Sequence, residues 1–175
     1  GGDVPERARR LQELGYRNVF SIGTALLLAP NFKDIIKATG DKYVNTNGKL
    51  IAIQGQKLLH EIADAGIEQI VTTANITESH EQLQLTPKYF IEKAFQEIRR
   101  YNSEHPEKPL KTVATVILTS ENYDKISEMV QYVHNTYRAN GVKFISYIPM
   151  SQSLASFSPT LEQLAVSITK INEIR

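Results

Sequence analysis

Five short apolar runs in this 175-residue chain each break off into polar residues where a helix should begin, and the clearest is Lys42-Tyr43-Val44-Asn45-Thr46-Asn47-Gly48. Glycine announces most of them. Gly15 precedes Asn18-Val19-Phe20-Ser21-Ile22, Thr39-Gly40 precedes Tyr43-Val44, Ala65-Gly66-Ile67 precedes Gln69-Ile70-Val71-Thr72-Thr73, and Asn140-Gly141-Val142 precedes Phe144-Ile145-Ser146-Tyr147-Ile148. A glycine at a helix end takes the left-handed conformation that releases the backbone into an extended run. The repeating unit is therefore helix, glycine, buried strand.

The remaining strand, Thr112 to Thr119, carries Val113, Val116, Ile117 and Leu118 with little strict alternation, as expected where helices cover a parallel sheet. Between strands the apolar spacing changes to the helical period. Ile126, Met129, Val130, Val133 and Tyr137 share one stripe, Leu161, Leu164, Ile168 and Ile171 another, and Phe90, Ile91, Ala94, Phe95 and Ile98 a third that opens at Thr86-Pro87. Pro5 to Leu14 reads as a first helix with Asp3 as its cap.

Helix and strand thus alternate along the whole chain, which demands parallel strands joined by right-handed crossovers. The expected fold is α/β: a parallel five-stranded open partial barrel, a TIM-like arc with helices on its outer face, spanning residues 1–175 as one domain. A flat doubly wound sheet is the alternative architecture.

Composition removes several function classes. With 41% hydrophobic residues there is material for a real core, and a net charge of +1 with no basic block denies the long-range field that draws proteins to nucleic acid. No apolar run approaches the roughly 20 residues of a membrane helix, so neither nucleic acid nor membrane is an expected partner and the expected location is cytoplasmic. Cysteine is absent, which excludes disulfides, a thiol nucleophile and thiolate metal sites within these residues. His60, His80, His105 and His134 show no ligand spacing, and Glu78-Ser79-His80-Glu81 reads more simply as a polar loop than as a metal site.

In parallel sheets the residues just beyond each strand's carboxyl end meet at one rim, where ligands bind. Here those tips are Gly23-Thr24-Ala25, Asn45-Thr46-Asn47-Gly48, Thr73-Ala74-Asn75, Ser120-Glu121-Asn122 and Pro149-Met150-Ser151-Gln152. They are neutral and rich in amides and hydroxyls, suited to hydrogen-bonding a sugar, amino acid or nucleoside, and they contain no evident general base or nucleophile.

In order and spacing these tips resemble those of the radical S-adenosylmethionine enzymes, whose core is a partial barrel of this element order. Asn45-Thr46-Asn47-Gly48 resembles the family's Thr-Asn-Gly tip. Gln69 to Asn75 resembles the strand that carries Ser-Leu-Asp near the cofactor, Val113 to Asn122 the next strand with its Asn-containing turn, and Phe144 to Pro149 the strand that lines the adenine. The resemblance implies that Gly23, Thr24, Asn45, Asn47, Thr73, Asn75, Asn122 and Pro149 bind S-adenosylmethionine, and that the parent activity is cluster-dependent modification of a peptide or small molecule at the rim.

The chain departs from that pattern in two places. No cysteine is present to hold a [4Fe-4S] cluster, so such a cluster is expected only if its ligands lie outside this chain. The motif Gly-Gly-Glu-Pro is replaced by Gly23-Thr24-Ala25-Leu26. The expectation is an incomplete or degenerate relative that is not catalytic as it stands. Its rivals are another TIM-type enzyme or binding module for a small polar metabolite, and a non-catalytic interaction scaffold. Without a strand before it, Asn18 to Ile22 is expected to form an edge covered by the chain's own terminus, by a partner or by self-association.

Overall fold

The computed structural model describes residues 4–15, 26–74, 86–149 and 151–174. Among them run α1 (Val4–Glu13), α2 (Phe32–Thr39), β1 (Tyr43–Thr46), α3 (Lys49–Gln54), α4 (Gln56–Asp64), β2 (Gln69–Ala74) and α5 (Lys88–Glu104). β3 (Lys111–Leu118), α6 (Ile126–Tyr132), β4 (Gly141–Ser146) and α7 (Leu161–Glu173) complete the order. No helix among the described residues is long and apolar enough to cross a membrane.

The four strands form one all-parallel open sheet in the order β1-β2-β3-β4. The α/β class and the open parallel sheet agree with the sequence reading, but the five-stranded partial barrel does not. Four strands twisted about 20–25° against one another leave the outer two far from closure. The expected strand Asn18 to Ile22, and with it the expected edge partner, lies outside the described residues.

Strand parity divides the sheet into two unlike faces. Val44, Ile70, Thr72, Ala74, Thr112, Ala114, Val116 and Leu118 are buried, and Val142 and Phe144 pack beside them. Against this face α2, α3 and α4 bring Ile36, Ile51, Leu58, Leu59 and Ile62, while α5 serves both halves of the core, with Ala94 and Ile98 on one side and Ile91 and Phe95 on the other. The Phe95 ring stacks on Tyr137 at 4.6 Å between centroids. The opposite face carries Tyr43, Asn45, Gln69, Val71, Thr73, Val113, Thr115, Ile117, Lys143 and Ile145, mostly half-buried or exposed.

Helix ends follow the glycine rule with one exception. Gly40 and Gly66 sit at φ +73° and +101°. Gly141, however, is the first residue of β4, paired with Val113, and the left-handed position before it belongs to Arg138 at φ 51°. A π-turn over Val133–Tyr137 precedes Arg138 and drives Tyr137 inward. The strand read as Phe144 to Ile148 consequently starts earlier and ends at Ser146, with Tyr147 N–H still donating to Leu118 O.

Candidate functional site

All four carboxyl ends lie on one side of the sheet, because every ladder is parallel. Of the residues expected to bind a cofactor, Asn45, Asn47, Thr73, Asn122 and Pro149 fall in the described residues and reach this end. Gly23, Thr24 and Asn75 lie outside them.

The tip of β1 is a turn that builds its own helix start. Thr46 Oγ1 accepts from Gly48 N–H at 3.2 Å, and Asn47 Oδ1 accepts from Lys49 N–H at 3.1 Å. Gly48 sits at φ +79°, and a Cβ there would come within 3.1 Å of the Ala94 Cβ and 3.2 Å of the Thr72 Oγ1. Only glycine meets both conditions. Beside the turn lies a cavity of about 300 Å³, walled by Leu27, Leu28, Leu50 and Ile53 and floored by Thr46, Asn47 and Lys49. The Lys49 ammonium lies 5.6 Å from the centre of the Phe90 ring.

Asn122 serves the backbone. It is fully buried, its Oδ1 accepts from Thr119 N–H at 2.8 Å, and its Nδ2 donates to Ile117 O at 2.9 Å. Its amide closes the turn after β3 and has no face toward a ligand. Ser120 is similarly occupied, donating through Oγ to Ser156 O at 2.7 Å, so the 3₁₀ turn Gln152–Phe157 leans over the β3 tip. Pro149 is half-buried beyond β4.

Asn45 and Thr73 are different. Both are half-buried on the face opposite the helix-packed core, and among the described residues none engages their side chains. Register gives them company that the sequence reading missed: Thr73 stands opposite Thr115, and Thr115 opposite Lys143. Asn45 is paired with Val71, one same-face step from Thr73. With strands about 4.8 Å apart, the polar set Asn45, Thr73, Thr115 and Lys143 crosses about 14 Å of sheet. Val71, Val113, Ile117 and Ile145 lie between and beside them. Thr115 and Lys143 become visible only once it is known which residues of each strand face the helices.

Iron–sulfur chemistry does not fit these residues. A cluster needs thiolates, the sequence holds no cysteine, and no three His, Asp or Glu side chains converge for a metal among the described residues. His60 is exposed on α4, its ring 4.8 Å from that of His105, and His134 is exposed on the π-turn. Glu78 to Glu81 lies outside the described residues. No protein-family model and no curated protein matches the chain. The resemblance to radical S-adenosylmethionine enzymes therefore stands on the strand tips alone.

Proposed function

We propose that the chain is a small-molecule-binding α/β domain whose ligand lies across the open face of the sheet, near the carboxyl ends of its strands. One observation carries this reading: Asn45, Thr73 and Thr115 gather hydrogen-bonding groups that no described residue engages, whereas the neighbouring Thr46, Asn47 and Asn122 are tied to backbone. A half-buried amide or hydroxyl without a protein partner is costly unless water or a ligand completes it. Hydroxyls and one amide, set among Val71, Val113 and Ile117, suit a ligand with polar edges and an apolar body.

S-adenosylmethionine is the first ligand to test, because the tip sequences that resemble its binding strands border this patch. The chain by itself would bind without generating a radical, since cluster thiolates would have to come from outside it.

Calorimetric titration of S-adenosylmethionine into the full chain provides the test. Saturable binding is expected, weakened about five- to tenfold by Asn45→Ala and by Thr73→Val, as for loss of one hydrogen bond each. Binding that neither substitution changes overturns the assignment of the patch.

A further inference from the structure

Lys143 is the one member of the polar row that carries charge, and its setting differs from that of the other lysine on the face. Lys111 begins β3, at the amino end of the sheet opposite Gln69, in the field of Glu68, whose carboxylate already pairs with Lys42 at 2.9 Å. Lys143 stands beside Thr115, with Thr73 next in line, and no carboxylate among the described residues pairs with it. Parity rules out a place among the helices, because Val142 and Phe144, on either side of it, pack into the core cluster. Lys143 is itself exposed, with one hydroxyl on the neighbouring strand and a second one strand further on. A cation in line with two half-buried hydroxyls offers donors that a carboxylate or phosphate oxygen can accept from.

We propose that Lys143, with the Thr115 hydroxyl beside it and that of Thr73 next in line, receives an anionic group, carboxylate or phosphate, of the small molecule bound on this face. The inference rests on the binding reading above and adds the ligand's chemical class and orientation. The anion lies over β3–β4, and the uncharged portion extends toward Asn45 on β1. Lysine on an outer strand also discourages unwanted strand addition. That role requires no hydroxyl neighbours and no ligand, so experiment separates the two.

The test uses matched probes that differ by the anionic group: adenosine 5′-monophosphate against adenosine, and S-adenosylmethionine against its decarboxylated form. Each is titrated into the full chain and into Lys143→Met, Lys143→Arg and Thr115→Val. In the unmodified chain the anionic member of one pair is expected to bind about tenfold more tightly than its mate, as for one charge-assisted hydrogen bond. The pair that shows the preference tells phosphate from carboxylate. Lys143→Met should erase the preference and leave the mate's affinity unchanged, Lys143→Arg should keep it, and Thr115→Val should reduce it.

Equal affinities within both pairs overturn the proposal, as does a preference that survives Lys143→Met. So does a Lys143→Met chain that self-associates in sedimentation while binding every probe as before, since the lysine would then only guard the outer strand. If the preference is absent but Asn45→Ala and Thr73→Val still weaken both members of a pair, the binding reading stands without this one. If no probe binds, both fall.

Discussion

The β1–β2 half of the molecule and the β4–α7 end are built from similar residues and are buried very differently. On β2, Ile70, Thr72 and Ala74 lose nearly all contact with water, and Leu58, Leu59 and Ile62 of α4 are sealed in the same core. None of the six residues of β4 is buried, and α7 buries only Ser167 although it also carries Leu161, Leu164, Val166, Ile168 and Ile171. Leu161 is 81% exposed, Ile148 77% and Ile168 59%. Among the described residues β2 has a hydrogen-bonded ladder on each side and β4 on one, and α7 is held largely by Ile171 and by polar ties such as Ser167 Oγ to Tyr123 O at 2.6 Å. The contrast teaches that apolar content does not decide burial in a wound sheet. The number of flanking elements does.

The largest expected effect lies in the sealed half. Leu59→Ala removes a side chain with no exposure and should cost about 3 kcal/mol in urea denaturation. Next, Gly48→Ala should cost about 2 kcal/mol, combining a left-handed backbone with a Cβ pressed toward Ala94 and Thr72. A loss below roughly 0.5 kcal/mol would mean that the β1 turn relaxes and holds no fixed geometry.

At the other end, Ile168→Ala should change stability by less than about 0.5 kcal/mol. A cost as large as that of Leu59→Ala would erase the contrast and show this helix covered in solution. Hydrogen exchange sharpens the same comparison without mutation. Amides of β2 should exchange only on global unfolding, and those of α7 through smaller, local openings.

Much of the element pattern was legible in the residues. The runs Gln69–Thr73 and Thr112–Thr119 match β2 and β3 within a residue or so, and Thr86-Pro87 stands directly before α5. Gly40 and Gly66 stop their helices as glycine physics requires. Gly141 does not, because a glycine in a strand and a glycine at a helix end look alike until the backbone of Arg138 is known.

The segment after Gly48 is also broken into α3 and α4 at Gly55, where a Cβ would meet the Glu97 carboxylate, a contact set by tertiary structure. The candidate site was only half legible. Asn45 and Thr73 follow from the rule that strand ends face a ligand, but Thr115 and Lys143 depend on cross-strand register, which no single run encodes. Asn122 shows another limit, since a polar residue at a tip can hold the turn itself.

The π-turn at Val133–Tyr137 acts on residues well downstream of it. By absorbing one extra residue before Arg138, it sets the phase in which β4 enters the sheet, with Asn140 clamped to Thr112 through N–H···Oδ1 at 2.8 Å. Removal of a single residue from that turn would advance β4 by one step if the clamp gave way. Phe144 would then rotate toward solvent and the Lys143 charge toward the aromatic interior, so a helical irregularity decides which side of an entire strand is wet.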